Sequence, residues 1–226
     1  MIDPSKHRIF LVDDHPLVRE WLTNLINQQP DLAVCGEAED APHALEAIAK
    51  LKPDVAIVDL SLKYVSGLDL IKDLKLQQPE VLVLVLSMHD EALYAERAIR
   101  AGARGYIMKR ETAKKVISAI RQVVAGELCV SESFAAVMAQ KFLMRTPATG
   151  SPVELLSDRE LQVFQFIGQG YETRRIAESL NVNFKTVQSY CARIKEKLGL
   201  NNANELLREA VRWEEGRHNQ SPPPTL

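Results

Sequence analysis

The chain has 226 residues, 46% of them hydrophobic and 26% charged, with a formal net charge of -2. Such a length favours two compact units over one, and such a composition excludes a disordered chain, which lacks apolar surface to bury. The balance of charge also excludes a protein held to nucleic acid by overall charge, so any such contact must rest on locally placed cations.

Cys35, Cys129 and Cys191 lie far apart with no CxxC pair, which argues against a disulfide framework or a zinc site and for a reducing compartment. The longest apolar run, Val81 to Leu86, is too short for a bilayer, and the N-terminus lacks the basic-then-apolar order of a secretion signal. A cytoplasmic protein with no membrane partner is expected.

In chain order, Arg8 to Val12, Leu32 to Glu37, Val55 to Asp59, Val81 to Leu86 and Gly105 to Ile107 read as strands. Between them, apolar residues recur at helical spacing, as in Leu17, Trp21, Leu25 and in Val116, Ile117, Ile120, Val124. Continuous apolar strands alternating with helices predict an α/β doubly wound, five-stranded parallel sheet over residues 1–126. Strand signals stop after Gly126. Residues 127–152 read as a linker with one helix, Ser131 to Met144, carrying Phe134, Val137, Met138 and Phe142 on one face. The breaker-rich stretch Thr146 to Pro152 then marks the boundary. An all-α unit follows over residues 153–215, with helices at Ser157 to Ile167, Glu172 to Leu180, Asn183 to Leu198 and Ala203 to Trp213. Residues 216–226, rich in proline, read as a disordered tail.

In an open parallel sheet, ligands collect beyond the carboxyl ends of the strands. Asp13 and Asp14 follow the first strand, Asp59 ends the third, Ser87 ends the fourth and Lys109 follows the fifth. Converging carboxylates repel one another, and Mg2+, which takes oxygen ligands, relieves that repulsion. One carboxylate can then attack phosphorus in line while a hydroxyl and an ammonium stabilise the other oxygens, roles that suit Asp59, Ser87 and Lys109. Taken singly, these residues have a plainer reading, with Asp13 or Asp14 capping the helix near Pro16 and Ser87 capping the next. Their joint placement favours a site.

Val12-Asp13-Asp14, Val58-Asp59-Leu60, Leu86-Ser87 and Gly105-Tyr106-Ile107-Met108-Lys109 make residues 6 to 125 resemble the flavodoxin-like receiver domain of response regulators. That resemblance implies Asp59 as phosphoacceptor and a Mg2+ site formed by Asp13, Asp14, Asp59 and the backbone carbonyl of Ser61. It also implies a switch formed by Ser87 and Tyr106 with Lys109, in which phosphorylation pulls Ser87 inward and Tyr106 follows. The chain departs from the pattern at Leu62-Lys63, where Met-Pro is usual, and at Arg110, where proline is frequent. It departs also at Met88, whose bulk where a small residue is usual predicts slow loss of the phosphoryl group.

Within Asn183 to Leu198, Val187, Cys191, Ile194 and Leu198 define a buried face, which leaves Lys185, Gln188, Ser189, Ala192, Arg193 and Lys195 exposed. Preceded by a short helix and a short turn, this pattern suits a helix-turn-helix unit that enters the major groove of double-stranded DNA. A helical bundle with a solvated charged face fits the same pattern. Ser157-Asp158-Arg159-Glu160-Leu161, Gly168-Gln169-Gly170, Ile176-Ala177-Glu178-Ser179-Leu180, Lys185-Thr186-Val187 and Ile194-Lys195-Glu196-Lys197-Leu198 resemble the LuxR-type output domain of the NarL/FixJ response regulators. That resemblance implies a recognition helix from Lys185 to Lys197. Lys185, Arg193 and Lys197 would contact phosphates, Gln188 and Ser189 would contact bases, and Thr186 lies in the same motif. The partners implied are a sensor histidine kinase, an inverted-repeat DNA site and a second copy of the chain when phosphorylated. Leu206, Ala210, Val211 and Trp213 of the last helix suit either that pairing or a core. Two alternatives remain: an aspartyl-phosphate hydrolase of the haloacid dehalogenase type, which needs a second Asp where Ser61 stands, and a module whose helical domain binds protein.

Overall fold

Five strands, β1 (His7–Val12), β2 (Leu32–Ala38), β3 (Val55–Val58), β4 (Leu82–Ser87) and β5 (Gly105–Met108), form one parallel sheet in the order β2-β1-β3-β4-β5. They are linked by α1 (Pro16–Asn27), α2 (Ala41–Leu51), α3 (Gly67–Gln77) and α4 (Glu91–Ala101), and α5 (Ala113–Val124) follows β5. The computed structural model describes residues 5–62, 65–143 and 152–218, and the chain divides into two compact units between Thr146 and Pro147.

The apolar strands are buried on both faces because side chains alternate along a strand. Ile9, Leu11, Ile57, Leu84 and Leu86 pack with Leu22 and Ile26 of α1 and with Val116, Ile117, Ile120 and Val123 of α5. The alternate set, Phe10, Val12, Ala56, Val58, Val83 and Val85, is equally buried. The stripe expected on α1 is corrected here. Leu22 and Ile26, flanked by Val18 and Leu25, face the sheet, whereas Leu17 and Trp21 face outward. Two stripes at helical spacing overlap in this helix, and contact with the sheet selects one of them.

Helix starts follow local chemistry. Asp40, Ser66, Asp90 and Thr112 cap α2, α3, α4 and α5 by accepting from backbone N–H groups one turn or less ahead. Arg121 of α5 makes a two-pronged pair with Asp31 before β2, at 2.8 Å for each prong. This guanidinium holds the Asp31 carboxyl down at about 2. A depressed carboxyl stabilises the fold above its unfolded value and loses that contribution as pH falls through its folded value. Asp31→Asn is therefore expected to flatten the pH dependence of the urea midpoint between about pH 4 and pH 2. A variant that tracks the parent across that window would show the pair to be inert.

After α5 the chain returns to the sheet, contrary to the expectation that strand structure ends at Gly126. Cys129 forms a one-residue parallel bridge with Gly105, accepting from Tyr106 N at 2.8 Å and donating to Arg104 O at 2.9 Å. One bridged residue has no periodicity to reveal it. Ser131 N then donates to Glu91 Oε1 of α4 at 2.9 Å, and α6 (Glu132–Leu143) follows in the same unit. Of its expected face, Phe134 and Met138 are half-buried and Val137 is exposed, while the Phe142 side chain lies outside the described residues.

The second unit holds a 3-10 turn (Pro152–Leu155) and four helices, α7 (Asp158–Gly168), α8 (Thr173–Ser179), α9 (Phe184–Leu198) and α10 (Ala203–His218). Leu161, Val163, Phe164, Ile176, Val187, Ile194, Leu206 and Ala210 are its core, and the Trp213 ring packs on Phe164 at 5.6 Å between centroids. Leu206, Ala210 and Trp213 thus serve the core of their own domain. The last helix also runs through Gly216, which was expected to open the tail. Residues 219–226, the breaker-rich stretch as far as residue 151, and Lys63 lie outside the described residues. Among the described residues, no helix is long and apolar enough to cross a membrane.

Candidate functional site

Parallel strands deliver Asp13, Asp14, Asp59, Ser87 and Lys109 to one edge of the sheet. Asp59 N donates to Val12 O and Lys109 N to Ser87 O, which ties the ends of β1 to β3 and of β4 to β5. Asp13 and Asp59 are each 3% exposed. The Lys109 ammonium lies between them, 2.6 Å from Asp13 Oδ2 and 2.7 Å from Asp59 Oδ2. Burial disfavours that ammonium, but the charges of Asp59 and Asp13 outweigh it and raise the Lys109 pKa above its ordinary value.

Asp59 Oδ1 and Asp14 Oδ1 are buried acceptors without a hydrogen-bond donor. His15 Nδ1 lies 2.7 Å from Asp14 Oδ1 but is not aligned as a donor to it. Burial raises the Asp14 pKa, with the charges of Asp59 and Asp13 adding to it against His15 and Lys109. One ligand atom from each of Asp13, Asp14, His15 and Asp59 lies within 4.8 Å of all the others. Orphaned, converging carboxylate oxygens fit a hard divalent cation.

The capping alternatives are not what these residues do. His15 occupies the N-cap of α1, with Asp13 Oδ1 accepting from its N–H at 2.9 Å, and Asp90 rather than Ser87 caps α4. Ser87 is fully buried, and its Oγ accepts from His89 N at 3.3 Å. Tyr106 is also buried, and its hydroxyl donates to His89 O at 2.8 Å. Burial pushes the Tyr106 phenol well above its ordinary value, so it remains a donor. The Tyr106 side chain, expected to move inward on phosphorylation, therefore already points inward. Met88 stands 69% exposed beside this edge, and the Lys109–Arg110 peptide is trans.

His15 and His89 were not singled out from the sequence. The His89 ring reaches Ser61 Oγ at 3.0 Å, bridging the loops after β3 and β4, and packs on Tyr94 at 4.5 Å between centroids. Only the adjacency of His15 to Asp13-Asp14 could have pointed to it; His89 carries no local signal.

In the second unit, α8 and α9 are joined through Asn181, which takes a left-handed backbone with φ of 50°. Asn183 caps α9, accepting from Thr186 N at 2.8 Å and from the Thr186 hydroxyl at 3.0 Å. Val187 and Ile194 are buried, with Cys191 and Leu198 half-buried on the same side. Lys185, Gln188, Ser189, Ala192 and Arg193 are exposed, and Thr186 and Lys195 are half-buried. The Ser189 hydroxyl donates back to Lys185 O at 3.0 Å. Lys197 is exposed, but its ammonium donates to Glu160 Oε2 at 2.7 Å and to Leu155 O at 3.2 Å, within its own domain. Two exposed cations of α8 were not singled out from the sequence: Arg174 and Arg175, the latter 4.5 Å above the Tyr171 ring.

Two family models match the chain. The response regulator receiver domain covers residues 9–121, and the luxR family of bacterial regulatory proteins covers residues 154–210. The oxygen regulatory protein NreC of Staphylococcus aureus (strain MRSA252) is 34% identical over 91% of this chain and 97% of its own length. The transcriptional regulatory protein DegU of Brevibacillus brevis is 28% identical over 93% and 95% respectively. Among solved structures, RcsB of Salmonella enterica serovar Typhimurium, bound to promoter rprA with the phosphomimetic BeF3-, is 25% identical and matches with a TM-score of 0.59. It covers 91% of this chain, which in turn covers 98% of it.

Proposed function

This chain belongs to the LuxR-type two-component response regulators, a transcription-regulating and not an enzymatic family, and from that premise we infer that Asp59 is its phosphoacceptor. The hydrolase alternative is set aside with it. A sensor histidine kinase would supply the phosphoryl group. Asp59 forms a bond to phosphorus as the bond from phosphorus to the kinase histidine nitrogen breaks, and that nitrogen keeps the electron pair. Asp59 Oδ1, which accepts no hydrogen bond, has its lone pairs available for this step. Asp13, Asp14, Asp59 and the Ser61 carbonyl would hold Mg2+, which would supply charge neutralisation at the phosphoryl oxygens. Lys109 turns its ammonium to the same oxygens, and the Ser87 hydroxyl donates to another. Bound that way, Ser87 favours the inward Tyr106 over outward states, a shift of population and not a new fold.

The output is DNA binding by α9 in the major groove. Lys185 and Arg193 are assigned to phosphates and Gln188 and Ser189 to base edges, with Thr186 at the helix start, whereas the Lys197 ammonium is engaged by Glu160 and Leu155 O of its own domain. A twofold dimer would read an inverted repeat, in the cytoplasm where such DNA lies. What carries this reading is the Lys109 ammonium shared between Asp13 and Asp59 beside an orphaned Asp59 oxygen.

Beryllofluoride with Mg2+ is expected to raise both the dimer fraction and the affinity for DNA in the parent and to change neither in Asp59→Asn, as read by sedimentation and DNA titration. No response in the parent would overturn the switch. Met88→Ala is expected to shorten the lifetime of the phosphorylated protein by admitting water, measured as decay of the phosphorylated band; an unchanged lifetime would remove Met88 from the account.

A further inference from the structure

Glu160 is the one acidic side chain in the core of the helical unit's described residues. Its side chain is 3% exposed, and an isolated buried carboxylate is costly. Two groups of this domain donate to its carboxylate. Ser157 N donates to Oε2 at 2.7 Å, closing a capping box in which Glu160 N donates to Ser157 Oγ at 3.4 Å. Lys197, on the last turn of α9, donates to the same oxygen at 2.7 Å and also to Leu155 O at 3.2 Å. Burial alone would raise the Glu160 pKa, but Lys197 and Ser157 outweigh it and lower it, so the charge persists.

The geometry bears on how α9 is held. Val187 and Ile194 are its two fully buried residues, seven apart and therefore nearly in line along the axis. Apolar contacts of this kind are non-directional and leave rotation about that line weakly determined. A charge-assisted hydrogen bond of 2.7 Å is directional, and one made a turn beyond Ile194 fixes the roll of the helix. Roll decides where Gln188 and Arg193, on the outer side, present their polar atoms.

We propose that Glu160 is a positioning residue for DNA recognition: its buried carboxylate clamps Lys197 and the 3-10 turn, and thereby sets the roll of α9. Lys197 then acts through Glu160 and not as a phosphate contact. The inference rests on the reading of α9 as the DNA-facing helix.

The test uses the full chain and two probes, a duplex selected by the parent from a random pool and an unselected duplex of equal length. Binding is measured at a temperature where circular dichroism shows each variant folded. Glu160→Gln is expected to weaken binding to the selected duplex by about tenfold while leaving the unselected duplex within about twofold, because non-specific affinity depends on charge and not on roll. A phosphate role for Lys197 predicts the opposite sign, since losing the carboxylate frees an ammonium. Lys197→Met is expected to leave the salt slope of log affinity unchanged, whereas Arg193→Ala lowers it by about 1. Lys197→Met also carries the test if Glu160→Gln does not fold. Tighter or unchanged binding of the selected duplex by Glu160→Gln overturns the inference, as does an equal loss on both duplexes, the mark of a merely structural role. If Gln188→Ala and Arg193→Ala also leave both duplexes unaffected, the reading of α9 falls and takes the inference with it; if they weaken binding, only the inference falls.

Discussion

Replacing Lys109 with methionine is expected to lower the unfolding free energy of the receiver domain by about 3 kcal/mol in magnesium-free buffer. The ammonium is shared by two carboxylates, Asp13 and Asp59, at 2.6 and 2.7 Å, and all three side chains are nearly or fully buried. Removing one partner of a buried pair leaves the other charges uncompensated, which costs more than the pair itself contributes. The strain would be relieved in part by protonation of one carboxyl and in part by a cation taken from solvent. Added Mg2+ is therefore expected to stabilise the variant more than it stabilises the parent. Urea unfolding of both proteins with and without Mg2+ measures this. A loss below about 1 kcal/mol, or an equal response to Mg2+, would show that Lys109 does not hold the acidic pocket together.

Gly67→Ala is expected to destabilise the same domain by about 1 to 3 kcal/mol. Gly67 opens α3, and its N–H donates to Leu60 O at 3.0 Å. A Cβ there would stand 2.7 Å from Leu60 Cα and closer still to the Asp59 carbonyl oxygen. Both are backbone atoms, which cannot rotate away as a side chain could. Either α3 retreats or the Asp59 backbone moves, and displacement of a reacting group by even a fraction of an ångström is costly in rate. Phosphorylation by a small-molecule donor such as acetyl phosphate is expected to slow by about tenfold or more. Parent-like stability and phosphorylation would contradict the close approach of α3 to the acceptor strand.

The acidic edge was legible because strand ends are. Apolar runs closed by Asp59, Ser87 and Lys109 mark where a parallel sheet presents polar groups, and the sheet order brings those ends together. The plainer reading of Ser87 as a cap could not be dismissed in the sequence, since Ser and Asp cap equally well; Asp90, three residues on, takes that role. On α9 the inner face followed from spacing alone, as did the exposure of Lys185, Gln188, Ser189, Ala192 and Arg193, whereas Lys195, expected to be exposed, is half-buried. The engagement of Lys197 did not, because its partner lies 37 residues away on another helix. Ser157 and Glu160 stood at capping-box spacing all along, but that pattern says nothing of a lysine arriving from α9.

What the sequence by itself determined is whatever depends on near neighbours and on periodicity: the alternation of strands and helices, and the acidic and basic groups at strand ends. Tertiary structure alone decided the rest. It chose Leu22 and Ile26 over Leu17 and Trp21 for the inner face of α1, bridged Cys129 to the edge of β5, joined His89 to Ser61 across two loops, and left a buried oxygen of Asp59 without a donor. The reason is physical. Period and capping are set by dihedral angles a few residues long, whereas burial, ion pairing and close approach depend on which distant atoms share a volume, and no local pattern encodes that distance.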